Sequence, residues 1–179
     1  MIELDDITLK EYFELEDKTE YEFALKYAKP LDVFNVGDFT EFEFGFIKEL
    51  QQDMNEGLTW INLIEYLERL MKKDKKQIVN YKFWTIARFK SYIEAEIERI
   101  TEIENELLSY VPDAIEVQAG IEAFNKFGYY GQLRKLAKED VTKLKEIEKT
   151  KYSICLTELY YQKTSDEYQN EYNRIKYKK

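Results

Sequence analysis

Residues 78–109 read IVNYKFWTIARFKSYIEAEIERITEIENELLS, a stretch without glycine or proline. Ile86, Ile93, Ile100 and Leu107 recur every seven residues. Phe89 and Ile103 fall three residues after the first and third of these, and Ile97 four after the second. Apolar residues at these intervals line one face of a helix, so the spacing predicts one long amphipathic helix of roughly 40 Å over about 78–109. Lys90 and Glu96 interrupt the pattern, which fits a bundle or hairpin helix better than a regular coiled coil.

The flanking sequence is helical in the same way. Thr8-x-x-Glu11, Thr19-x-x-Glu22, Thr40-x-x-Glu43, Asp113-x-x-Glu116 and Thr164-x-x-Glu167 read as capping boxes, in which a side-chain oxygen accepts from a free first-turn N–H and the Glu reaches back. These signals place helices near 8–16, 19–28 and 40–54. Thr59 opens another to about 73, with Trp60, Ile61, Ile64, Leu67 and Leu70 or Met71 facing inward. Further helices follow at 113–127 (Ile115, Ala119, Phe124 and Phe127 inward), 130–138, 149–162 and 165–177, with a capped turn over 139–146. Pro30 ends the second helix and leaves an extended segment near 30–38. The expected fold is an all-α, irregular multi-helix bundle forming a single helical unit over 1–179. A possible subdivision separates an acidic part, 1–75, from the long helix and C-terminal helices, 78–179.

Composition narrows the function. The chain has 179 residues, 44% hydrophobic and 16% aromatic, enough for a core. It has no histidine and one cysteine. Histidine is the usual acid–base group near neutral pH and the commonest metal ligand, so Ser-His-Asp and Cys-His catalysis and Cys/His zinc sites have no residues to build them. No glycine-rich phosphate loop is present, because no Lys-Ser/Thr follows Gly128 and Gly131. The chain therefore reads as non-enzymatic, with no catalytic residues, no cofactor and no metal. Cys155, between Ile154 and Leu156, reads as a buried apolar residue, and Gly120 as a point of close helix approach. The opening residues Met1–Asp6 lack the basic and apolar regions of a secretory signal, and no apolar run is long enough to span a membrane.

Charge is unevenly spread. Residues 1–56 carry a net −11 and residues 57–179 a net +2, for −9 overall. Arg69, Lys72, Lys73, Lys75, Lys76, Lys82, Arg88 and Lys90 form a basic stretch, which could face the acidic end of a neighbour. Glu94, Glu98, Glu102 and Glu106 form an acidic helix stripe, a solvated face in the simplest case and a carboxylate metal site in a remote one. Tyr152, Tyr160, Tyr161, Tyr168, Tyr172 and Tyr177 crowd the C-terminal end. They read as a docking surface or as core tyrosines with wet hydroxyls. Arg174, Lys176, Lys178 and Lys179 make a basic tail, but the acidic whole lacks the footprint that nucleic acid requires.

Three segments, residues 32–51 leading to Asn55-Glu56-Gly57, residues 119–128 (AGIEAFNKFG) and residues 152–172, resemble small helical structural and assembly proteins of tailed bacteriophages, especially crAss-like phages. The resemblance implies a virion or assembly role, with no catalytic residues to carry over. The expected protein is a ring-forming neck or tail component of the head-to-tail connector region, located in the virion and made in the bacterial cytoplasm. Its partners would be copies of itself and other virion proteins, with no direct sequence-specific nucleic-acid binding and no membrane. Its interface candidates are Tyr152, Tyr160, Tyr161, Tyr168, Tyr172, Lys72, Lys73, Lys75, Lys76, Glu94, Glu98 and Glu102. The alternative is a cytoplasmic assembly chaperone or adaptor that binds a helical client.

Overall fold

The computed structural model describes residues 6–177; Met1–Asp5, Lys178 and Lys179 lie outside the described residues. The helices are α1 (Leu9–Glu14), α2 (Thr19–Leu25), α3 (Phe44–Glu56), α4 (Trp60–Met71), α5 (Lys75–Ile78), α6 (Phe83–Leu108), α7 (Ala114–Gln118), α8 (Tyr130–Leu136), α9 (Leu144–Glu148) and α10 (Tyr152–Lys176). Short 3₁₀ segments lie at Phe39–Glu41, Ile121–Phe127 and Val141–Lys143. Among the described residues there are no strands, only two isolated antiparallel bridges, so the fold is all-α. No described helix is long and apolar enough to cross a membrane.

The chain forms two compact units interleaved in sequence. Among the described residues, the first holds the chain up to Asp38 together with Gln51–Arg99, and the second holds Phe39–Leu50 together with the chain from Ile100 onward.

The first unit is organised by aromatic rings. Tyr12, Tyr21 and Phe83 are buried, and Tyr12 lies 4.5 Å from Phe83, 6.0 Å from Tyr21 and 5.6 Å from Trp60 between ring centres. Leu63, Ile64 and Leu67 of α4 and Ile86, Phe89 and Ile93 of α6 complete its apolar interior. The segment after Pro30 is irregular, and Asp32 organises it by accepting from the N–H groups of Phe34 and Val36 at 3.3 and 3.1 Å. This Asx turn sets the Phe34 ring 4.8 Å from that of Phe89. Asp53 ties α3 to α4 by accepting from Asn62 Nδ2 at 2.7 Å and Tyr66 Oη at 2.8 Å.

The second unit packs Phe44, Ile47, Leu50, Ile100, Leu133, Leu136, Tyr152, Cys155 and Leu159 together. Gly45 of α3 sits against α9, where an added Cβ would lie 3.2 Å from Glu148 Cβ and 3.3 Å from its carbonyl oxygen. The close approach of helices expected at Gly120 occurs here instead. Gly120 has φ of +83°, and a Cβ placed on it would meet nothing within 4 Å. It breaks the helix expected over 113–127 into α7 and a 3₁₀ segment.

Several other expectations are corrected. The long helix begins at Phe83, not near 78, because Asp74 and Gln77 form a reciprocal capping box that commits residues 75–78 to a separate turn, and Lys82 then pairs with Thr8 in a bridge. The expected helices 149–162 and 165–177 are one helix, α10. Thr164 does not cap, because its hydroxyl donates to the Tyr160 carbonyl at 2.9 Å inside the helix. Thr8 and Asp113 do cap as expected. Thr19 lies within α2, its N–H taken by Asp17 at 2.9 Å, and Thr40 lies in a 3₁₀ turn. Ile61 points outward, and Leu63 and Tyr66 take its place in the interior. Ile115 and Phe124, expected inward, are 76% and 71% exposed; once Gly120 interrupts the helix, residues 113–127 no longer share one face.

Gly120→Ala is expected to lower stability by about 1 kcal/mol, because an L side chain is strained in the left-handed region. Urea unfolding followed by circular dichroism measures it; an unchanged midpoint would contradict the assigned backbone conformation.

Candidate functional site

Lysine is seldom fully buried without a partner. Lys48 of α3, only 6% exposed, points into the second unit and pairs with Glu104 of α6. Its ammonium also lies 5.5 Å from the Phe44 ring centre and 5.9 Å from that of Tyr152, so two aromatic faces and one carboxylate replace its water. Burial pulls the Lys48 pKa below its ordinary value, and the charge of Glu104 and its hydrogen bond work in the opposite direction. Burial, and secondarily the Glu104 charge, pushes the Tyr152 phenol well above its ordinary range. No hydrogen bond of ordinary geometry closes on Tyr152 Oη. This charged group is enclosed by core side chains, so its arrangement serves packing and register. Sequence reading missed both partners: Lys48 carries no motif, and Glu104 lies off the spacing of the acidic stripe.

Helix α10 is the second distinctive feature. Its first half is anchored by Tyr152, Cys155, Leu156 and Leu159, all buried. Lys163 donates to the Leu107 carbonyl at 3.2 Å, and Lys135 reaches Asp166 at 3.0 Å. From Thr164 to Tyr177 every residue is exposed. On the face turned away from the buried residues stand Ile154, Tyr161, Tyr168 and Ile175, at 57, 68, 69 and 64% exposure.

The structure divides the interface candidates. Tyr160, Tyr161, Tyr168 and Tyr172 are on the surface. Tyr152 is a correction: it is fully buried, because the chain enters α10 through a backbone bridge that turns its first residue into the core. Lys72, Lys73, Lys75 and Lys76 are exposed around α5, with the Lys73 ammonium 5.0 Å from the Tyr81 ring centre. Glu94 pairs with Lys90 on its own helix, and Glu98 and Glu102 are exposed. Among the described residues no group of three or more Cys, Asp or Glu side chains is placed to hold a metal ion. Ile154 and Ile175 join the tyrosines on the exposed face, although a tyrosine count gave no signal for them.

An open cleft of about 460 Å³ lies beside α10 between Leu108, Ile121 and Leu159. Its lysines are already paired, Lys135 with Asp166 and Lys163 with Glu167. Gln132 Oε1 is buried there without a partner, and one orphaned acceptor does not define a ligand. Cys155 is free and buried, and burial pushes its thiol up to about 11. Comparison with family models, curated proteins and solved structures returned no match.

Two measurements follow from this geometry. Two changes separate the pair: Lys48→Met removes the cation from beside the largely buried Glu104 carboxylate, so it should cost about 3–5 kcal/mol, whereas Lys48→Met with Glu104→Leu should recover most of that loss. Denaturant titrations of the three proteins give the comparison; equal stability of both variants would show that the charges are hydrated. Cys155 should react with a soluble thiol reagent at pH 8 more than about a hundredfold slower in the folded chain than in urea, following its thiolate fraction and burial. Comparable rates would place the thiol at the surface.

Proposed function

We propose that this chain is a non-enzymatic structural protein that works through contacts with other protein subunits, with α10 as its principal contact element. One observation carries this reading: thirteen consecutive residues of α10, 164–176, are exposed on every side while presenting Tyr168, Tyr172 and Ile175. An isolated helix of that length is marginal in water, and helical stability in proteins comes mainly from packing of an apolar face. Tyrosine supplies large contact area at low entropy cost. The resemblance to tailed-phage proteins supports a place in the virion as a ring-forming neck or tail component. In that setting the exposed lysines 72, 73, 75 and 76 would meet the acidic N-terminal part of the next subunit. Head-to-tail contacts of this kind close into rings when the rotation permits. An assembly adaptor would use the same helix on a transient client.

Light scattering tests the reading on the purified chain, alone and mixed with an extract of the encoding phage's virions. The expected mass exceeds 21.7 kDa in at least one condition. Tyr161→Ser with Tyr168→Ser should weaken that association at least about tenfold while leaving the circular dichroism spectrum unchanged. A strict monomer in both conditions overturns the proposal.

A further inference from the structure

We infer that the turn from α4 into α5 binds the diphosphate group of a small anion, in a pocket lined by Lys73, Gln77, Asn80 and Tyr81. The site is independent of α10 and goes beyond the contact reading.

The backbone sets the chemistry of this pocket. Gln77 Oε1 accepts from the Asp74 N–H at 3.3 Å in the capping box that opens α5. That bond requires an oxygen, so it fixes which way the Gln77 amide points and leaves the Nε2 protons unused. Asn80 Nδ2 donates to the Lys76 carbonyl at 2.7 Å, which fixes the second amide and leaves its other proton unused. The Lys73 ammonium donates to Tyr81 Oη; it keeps two further protons, and the phenol keeps its own. These four side chains line one pocket of about 270 Å³. Each retains an unused donor, and none is a carboxylate. A site built from donors around an ammonium takes an anion.

The surroundings set the valence. Helix α4 ends at Lys72, whose φ of +53° turns the chain sharply towards α5. Lys72, Lys75 and Lys76 are exposed, and none forms an ion pair with a described residue. The nearby carboxylates serve the backbone: Asp74 accepts from the Gln77 N–H at 2.9 Å and Glu68 from the Lys75 N–H at 2.6 Å. Residues 68–76 thus carry five cations against two anions, a net +3. The overall charge of −9 does not cancel this locally, because exposed charges beyond about 8 Å are screened at physiological salt. Coulomb attraction grows with the charge of the ligand, which favours a diphosphate over sulfate or one carboxylate. Its many oxygens also serve four separate donors, whereas a carboxylate has two. The pocket is smaller than those that enclose a drug-sized molecule, so it holds the phosphoryl part of a ligand. Free pyrophosphate and the diphosphate end of a nucleotide share that chemistry.

Calorimetric titration of the full chain in roughly 25 mM salt tests the site with pyrophosphate, ADP, sulfate and free glutamate. Pyrophosphate should bind with a dissociation constant below about 1 mM, at least about tenfold tighter than sulfate or glutamate. Binding should weaken at least about tenfold in roughly 0.5 M salt. Lys73→Met should weaken it at least about tenfold, and Tyr81→Phe, which removes one donor and no charge, about threefold. Lys145→Met, an equal charge change at an exposed lysine of the second unit, should leave it unchanged; circular dichroism checks that each variant folds. Pyrophosphate and ADP should bind alike, because the site reads only the group they share. ADP binding without pyrophosphate would put recognition on the nucleoside and overturn the assignment. Glutamate binding as tightly as pyrophosphate would mark the lysines as partners for a neighbour's carboxylates and overturn it too. So would equal losses from Lys73→Met and Lys145→Met, or no binding at about 10 mM pyrophosphate.

Discussion

The first turn of an α-helix carries amide donors with no partner inside the helix, and four helices of this protein begin in its interior. Leu9, Phe44, Phe83 and Tyr152 are the first residues of α1, α3, α6 and α10, and each is fully buried. One device resolves the conflict twice. In the first unit the Leu9 N–H donates to the Tyr81 carbonyl at 2.9 Å and the Phe83 N–H to the Ile7 carbonyl at 2.8 Å. In the second the Phe44 N–H donates to the Thr150 carbonyl and the Tyr152 N–H to the Phe42 carbonyl, both at 2.8 Å. Each unit thus starts two helices from one reciprocal pair of backbone bonds. Their first side chains can then be large and apolar without stranding a donor.

The interiors built on these starts differ in chemistry. The first unit encloses a ring cluster around Phe83 in which Tyr21 meets it edge-on at 5.2 Å, an arrangement that ring quadrupoles favour. The second unit encloses a charge. Lys48 and Glu104 attract each other strongly in a weakly polarisable interior, yet each has lost its hydration, so the pair adds little net stability while punishing any arrangement that separates them. It therefore acts on the register of α3 against α6 within that unit more than on the depth of the folding well. The two aromatic faces over Lys48 make the site tolerable to an ammonium and hostile to a small polar replacement.

Helix α10 joins two physical regimes in one element. Its first half is held by core contacts and continues as a helix into water, where local pairs such as Arg174 with Glu171 and Lys163 with Glu167 offer modest support. Extending a helix already nucleated in the core costs less than starting one in solution. A nucleated, exposed, tyrosine-bearing helix is thus ready to receive another surface without first paying the cost of ordering, which is the physical content of reading it as a contact element.

Local sequence determined the helical character of this chain and much of its periodicity. Ile86, Phe89, Ile93, Ile97 and Ile100 face inward as their spacing required, and the boxes at Thr8 and Asp113 close as their residue types allow. These are interactions over three to seven residues, which a sequence displays directly. The tyrosines at 160, 161, 168 and 172 were visible as a surface candidate, but Tyr152 was not separable from them, because only the bridge between Glu43 and Lys151 decides that it turns inward. Likewise nothing near Lys48 names Glu104, fifty-six residues away, and nothing near Lys82 names Thr8. The glycine whose missing side chain lets two helices meet is Gly45, while Gly120, equally plain in sequence, ends a helix. Side-chain period and capping chemistry belong to the chain alone. Which starts are shared, which charge is enclosed and which face stays open depend on contacts between distant segments, and those exist only once the tertiary structure has formed.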